Sequence, residues 1–438
     1  MDVESFPRRP EEMSLMGRQS AFLRRRHLAA LAVAAALTGV TACAAKAGPA
    51  TDAGGAAGSG SGCGTVTYRA PGGNADLSQL PKDIRDGYNG YFAPVNTSVY
   101  KDFKADAGGP LKIGYSDSFS GNGWRGDALA RLKQDATALR KSGVVSNLQT
   151  ANSNLDNSLQ IQQIISMINQ RVDAIIAIPN SPTAFNNVIK QAYDAGIPFI
   201  TLNSHVTSPY AINVDTNYHL TGELVAAGLA KKIKGKGDVL VVDGIAGSPA
   251  STTLHEGYQA AFHKCAGIKV TGSVEGQWSE ATAKSVVLQY LSTHPGQLAA
   301  VVNSGGMTNG ILQAMEQTGR KPVPIGDANP DQGSLVSLRK LLPDQYVAGI
   351  TPAAQSMDAA LLTAIAVLRG QQPKVDAIVA TPTQITGRAA LDSWIRDGWT
   401  ASSAAQAPAP RGVDWLSPQQ LRSYFEKPGQ LPELPPLP

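Results

Sequence analysis

A chain of 438 residues is long enough for two ordinary domains with tails. Only 16 % of residues are charged and the net charge is +4, so there is no electrostatic footprint for nucleic acid, and no basic helix or aromatic-interleaved basic patch supplies one. Composition therefore argues against a nucleic-acid partner.

The chain opens on an export pattern. Arg24, Arg25 and Arg26 form a positive segment, His27 to Ala42 is rich in alanine and leucine, and small residues lead into Cys43. The apolar run is too short to span a bilayer as a mature helix. The pattern resembles a bacterial lipoprotein signal, which implies cleavage before Cys43, lipidation of that cysteine, and an exported protein anchored on the outer face of the cytoplasmic membrane. Arg25 and Arg26 also fit the twin-arginine pattern loosely, but a plain basic segment is the better account of them. Removing residues 1–43 takes six basic and four acidic residues with it, leaving the mature chain near neutral at +2.

Residues 44–75 are dominated by Ala, Gly and Ser and read as a flexible tether. Residues 76–110, with scattered aromatics, read as an arm packed on the main body. Cys63 and Cys265 could pair outside the cytoplasm, although spacing alone does not bring two cysteines together. No C-x-x-C or H-x-x-x-H pattern predicts a metal site, and no cofactor is expected.

From residue 111 apolar runs alternate with helical patterns. Strands are predicted at 111–116, 144–150, 173–178, 197–202, 239–243, 268–274, 299–302 and 346–350. Helices are predicted at 126–141, 156–171, 183–195, 220–232, 251–264, 280–291, 308–318 and 354–369. The clearest is 156–171, where Ile161, Ile164, Ile165 and Ile168 fall on one face. Such alternation predicts parallel α/β sheets. The units fall into two groups about residues 213–217, which favours two lobes over the rival eight-stranded α/β barrel. The lobes are expected at 111–213 plus 353–380 and at 214–352 plus 381–400. Residues 401–438, rich in proline, read as a surface-packed extension with an amphipathic patch at 415–425.

Ligands of open α/β sheets sit beyond the carboxyl ends of the strands. The residues delivered there are Asn122, Trp124 and Arg125 after the first strand, Asn180 after the third, and Asn203, Ser204 and His205 after the fourth. In the second group they are Trp278, Asn303 with Ser304, and Asp327. Amides, a carboxylate, a guanidinium and indoles suit a neutral polyhydroxylated ligand, with hydroxyls paired to the polar groups and a sugar's C–H face on tryptophan. Each residue also has a plainer role: Asn122 and Asp327 as helix caps, the tryptophans as packing, Asn180 as a turn before Ser181-Pro182. Catalysis finds no support, because no G-x-S-x-G elbow is present, Lys234-Gly-Lys-Gly237 is not a phosphate loop, and no histidine pairs with a nucleophile.

Residues 111 to about 390 resemble the type I periplasmic-binding-protein-like family, in particular the ribose-type sugar-binding proteins of ABC importers. The resemblance rests on AIIAIPNSPTAFNNVIKQAYDAGIPFITLNS (174–204), on INVDTNYHLTGELVAAGLAKKIKGKGDVLVVDGIAGSPASTTLHEGYQAAF (212–262), and on GNGWRGD at 121–127. It implies two Rossmann-like, doubly wound lobes with parallel sheets, joined by three crossovers near 213–217, 350–353 and 378–384. It further implies a binding role without catalysis, an ABC permease and ATPase as partners, a monomeric state, and ligand contacts from Asn122, Trp124, Arg125, Asn203, Trp278 and Asp327. The chain departs from the family pattern at Leu254, where sugar binders usually carry Arg, at Ser304, where they carry Asp, and at Asn203, again in place of Asp. The cleft is therefore expected to be less charged than that of a ribose binder. Alternatives are a ligand-sensing lipoprotein that reports to a membrane receptor and, with less support, an exported α/β hydrolase.

Overall fold

The computed structural model describes residues 62–437 apart from 67, 105–108 and 411. The export pattern, Cys43 and most of the expected tether lie outside these residues. Among the described residues, no helix is long and apolar enough to cross a membrane.

The arm carries α1 (Lys82–Asp86). The first run of alternating elements is β1 (Leu111–Asp117), α2 (Gly123–Lys141), β2 (Val145–Asn152), α3 (Asn157–Asn169), β3 (Ala174–Ile178), α4 (Asn186–Asp194), β4 (Phe199–Leu202) and β5 (Ala211–Thr216). The second is α5 (Tyr218–Lys232), β6 (Lys236–Asp243), α6 (Pro249–Phe262), β7 (Gly267–Glu275), α7 (Glu280–Thr293), β8 (Ala300–Asn303), α8 (Thr308–Gln317), β9 (Ile325–Asp327), α9 (Gln332–Leu341) and β10 (Tyr346–Ile350). Then follow α10 (Ala353–Leu368), β11 (Ala377–Ala380), β12 (Thr383–Thr386), α11 (Arg388–Trp394) and α12 (Pro418–Ser423).

The strands form two six-stranded sheets, ordered β11-β5-β4-β3-β1-β2 and β12-β10-β9-β8-β6-β7. All neighbours run parallel except β12, which pairs antiparallel with β10 at the edge of the second sheet. Two open sheets rule out the closed barrel. Each sheet is covered on both faces, so its central strands are apolar on both sides: every residue of β3 and β8 is buried. In the N-terminal lobe one face packs α2, α10, the arm and the extension, and the other packs α3 and α4. Helix α3 starts where the Asp156 carboxylate caps the Leu159 N–H, and it turns Ile164 and Met167 fully inward. Truncating Ile176 at the centre of β3 to alanine would cost about 2–5 kcal/mol.

The chain crosses between lobes just after β5, between β10 and α10, and between β11 and β12, as the resemblance implies. Three details go beyond or narrow the expectations. Residues 211–216 are a full strand of the first sheet, so the crossing falls at Asn217; isolated apolar alternation there was too short to separate strand from linker. Helix α9 was not anticipated, because Gly333 and Ser334 dilute its apolar period, yet Asp331 caps it at the Ser334 N–H. The tether is not free up to residue 75: Cys63 and Cys265 form a disulfide with a Cα–Cα separation of 4.6 Å. Val95 N–H then bonds the Gly72 carbonyl at 2.9 Å, and Ala75 N–H bonds that of Val95 at 3.1 Å.

Candidate ligand cleft

The carboxyl ends of β1, β4, β8 and β9 and the loop after β7 open on one cavity of about 360 Å³ between the lobes. That is within the ordinary range for a small-molecule site. The structure brings Asn122, Trp124, Arg125, Asn203, Trp278 and Ser304 to its wall. Asn180 and Asp327 are not on that wall. Asn180 sits at the turn before Ser181-Pro182, as its local sequence favours. Asp327 is fully buried beneath the floor, where it accepts from Thr308 Oγ1 at 2.6 Å and from Asn329 N–H at 3.0 Å. Burial raises its carboxyl to about 7. His205 turns away too, its Nδ1 lying 3.0 Å from the Tyr91 hydroxyl and 3.2 Å from Asp215.

On the N-terminal side, Asn122 is both cap and wall: its Oδ1 accepts from Arg125 N–H at 2.9 Å and starts α2. Trp124, the second residue of α2, donates its indole N–H to the Thr351 carbonyl at 2.8 Å. Arg125 is held by an ion pair with the buried Asp117. Asp117 in turn accepts from Tyr115 Oη at 2.7 Å. Arg125 thus enters the cleft with its charge largely neutralised.

Asn203 is in the left-handed region, φ 47°, which asparagine tolerates better than most residues. Its Oδ1 accepts from Thr216 N–H at 2.9 Å and Thr216 Oγ1 at 3.1 Å. Its Nδ2 is buried and has no partner. Such an orphan donor costs about 1–3 kcal/mol unless something accepts from it.

On the C-terminal side, Gln277 and Trp278 both have positive φ, 57° and 53°. Left-handed backbone at an aromatic residue costs of order 1 kcal/mol and tends to cluster at functional sites. The conformation aims the indole across Gly244, where a Cβ would collide with the ring. The indole N–H donates to the Ser304 carbonyl at 3.1 Å, and the buried Ser304 side chain lies beside the Tyr258 hydroxyl. Both indole N–H groups are therefore engaged by backbone, and the Arg125 guanidinium lies 6.0 Å from the centre of the Trp124 ring.

Sequence reasoning missed several wall residues: Tyr218, Leu254 as a lining residue, Glu280, Asn329, Asp331, Ala404 and Gln406. The turn-rich Asp327-Ala-Asn-Pro-Asp331 was a usable signal for two of them. Nothing local marked Gln406. Glu280 accepts from Asn309 Nδ2 at 2.8 Å, and burial raises its carboxyl and that of Asp331. The wall holds one cation, Arg125, already paired. Among the described residues no cluster of His, Cys, Asp and Glu could hold a metal.

A family model described as a periplasmic binding protein domain matches residues 113–392. The chain is similar to the xylitol-binding protein of Mycolicibacterium smegmatis, 27% identical over 232 residues, covering 52% of this chain and 66% of that one. It is similar also to the galactofuranose-binding protein YtfQ of Escherichia coli, 28% identical over 221 residues, covering 49% and 68%. This chain therefore spans about two thirds of the length of these relatives. Among solved structures, an ABC transporter solute binding protein from Thermobispora bispora superposes with a TM-score of 0.63 at 26% identity, covering 74% of this chain and 99% of that one.

Proposed function

Because the chain belongs to the periplasmic binding protein domain family, we propose that it captures a small, neutral polyhydroxylated solute between its lobes and delivers it to an ABC import permease. The family is made up of binding proteins, and nothing in the cleft pairs a nucleophile with a base. One observation carries the reading: Asn203, whose Nδ2 has no protein partner, and Ser304 line one cavity that two tryptophans also line. A hydroxyl group accepts from the first and pairs with the second, while the sugar's C–H surface lies on the indoles. Relatives that bind xylitol and galactofuranose support this ligand class. Leu254 and the neutralised Arg125 favour a ligand with no charge and with one less hydroxylated edge.

Closure follows from differential affinity: a ligand that touches both lobes stabilises the closed form by the contacts it makes only there. The permease and its ATPase then read the closed form. In the same proposal Cys43 carries a lipid that holds the monomer on the outer face of the cytoplasmic membrane. Calorimetric titration with pentoses, hexoses, furanoses, pentitols and cyclitols tests the site. At least one should bind with micromolar affinity or better, and Asn203→Ala and Trp278→Ala should each weaken it at least tenfold. Unchanged affinity in both variants would sink the assignment.

A further inference from the structure

The C-terminal extension does something the two lobes do not. Trp399, Ala407, Ala409 and Val413 pack on the core of the C-terminal lobe, whereas Trp415, Leu421, Tyr424 and Phe425 are in the core of the N-terminal lobe. The chain therefore crosses between lobes a fourth time, at about residue 414. This crossing lies outside residues 113–392, the part matched by the family.

On its way the extension passes along the cleft. The Ala401 and Ser403 carbonyls accept from Asn309 Nδ2 and Gly333 N–H, both at 2.8 Å, which docks the segment on α8 and α9. The Ala404 carbonyl fills the space where a Cβ of Gly123 would stand, so the start of α2 needs glycine for this approach. Gln406 then joins the lobes. Its backbone N–H donates to Asp127 Oδ2 of α2 at 2.7 Å, and its Nε2 donates to Asn329 Oδ1 at 3.1 Å on the opposite side. Asn329 Oδ1 in turn accepts from Thr351 N–H at 3.0 Å in the second crossover. Further on, Trp415 Nε1 donates to Thr216 Oγ1 at 3.2 Å at the end of β5, and Thr216 Oγ1 lies 3.1 Å from Thr351 Oγ1 of the second crossover. Gln406 is 7% exposed and, with Ala404, lines the cavity. Its Oε1 takes part in none of these bonds.

We propose that the C-terminal extension is a third wall of the ligand cleft and a strap across it, with Gln406 as the residue that holds Asp127 of one lobe against Asn329 of the other and positions the polyol. This rests on the solute-binding reading for the identity of the ligand, but not for the strap itself. A site built from two hinged lobes plus a strap opens less widely and releases its ligand more slowly than one built from the lobes alone.

Deleting the extension would remove Tyr424 and Phe425 from a core, so the test leaves both anchors in place. A protease recognition sequence is inserted after the exposed Gly412 and cut in the folded full-length chain, and Gln406→Ala is made separately. With the tightest-binding member of the sugar and polyol panel as probe, Gln406→Ala and the nicked protein should each raise the dissociation rate at least tenfold and leave the association rate within threefold. Rates within twofold of the uncut wild type in both would overturn the proposal. The ligand-free protein provides an independent readout: the radius of gyration from small-angle scattering should rise when the nick and Gln406→Ala are combined. If no panel member binds the wild type, the solute reading fails, and the strap is judged by the scattering alone. An unchanged radius then overturns it.

Discussion

At the scale of single residues, burial decides which polar groups face ligand and which serve the fold. Asp117 and Asp327 each end a strand, and both are buried, but Asp117 meets Arg125 whereas Asp327 meets only neutral donors. Desolvation therefore dominates at Asp327 and lifts its carboxyl to about 7, above its ordinary value of 3.8. The folded protein then holds a proton that the unfolded chain has lost between those values. Stability should fall as pH rises from about 4 to about 7, and this group's penalty should be complete above 7. Asp327→Asn should flatten the decline of the melting temperature over that window by its share. A slope identical to wild type would show that the group is not titrating there. The sequence revealed an acid at the end of this short apolar segment; it could not reveal that the carboxylate sits below the floor, because alternation in a three-residue strand does not say which face is the wall.

Helices and loops set the wall's shape. Asn122 illustrates that capping and lining are compatible: one side-chain oxygen starts α2 while the residue faces the cavity. The loop after β7 depends on Gly244, whose missing side chain leaves room for the indole of Trp278. Gly244→Ala should displace that ring and lower affinity for the best-binding sugar or polyol by roughly the same factor as Trp278→Ala, since both remove one aromatic face. Its far-UV circular dichroism should match wild type. Affinity equal to wild type would mean that the ring does not touch ligand. The alternation of strands and helices was plain in the sequence because buried parallel strands read as continuous apolar runs and helices show a 3.6-residue period. Helix α9 escaped because it is diluted by Gly and Ser, and strands β5, β9, β11 and β12 escaped because each is only three to six residues long.

Across the whole molecule, both ends of the described chain tie the lobes together. Lys264 Nζ of the C-terminal lobe donates to the Thr65 carbonyl, and Cys63 bonds Cys265 of that lobe across 202 residues; from Leu80 onward the arm enters the core of the other lobe. Closing so long a loop removes conformational freedom from the unfolded chain, of order 5 kcal/mol in the entropic account. Reduction, or the Cys63→Ser/Cys265→Ser double variant, should lower the calorimetric melting temperature by several degrees; a transition insensitive to reductant would refute a stabilising role. By itself, the sequence determined the fold class, the two lobes and the strand ends at which a site must form, because hydrophobic period and turn chemistry are local. Only the tertiary structure decided that Cys63 meets Cys265, that Asp327 is floor and Asn203 is wall, and that Gln406 closes the cleft. Those facts depend on contacts between residues distant in the chain, and no local pattern encodes which of them burial will bring together.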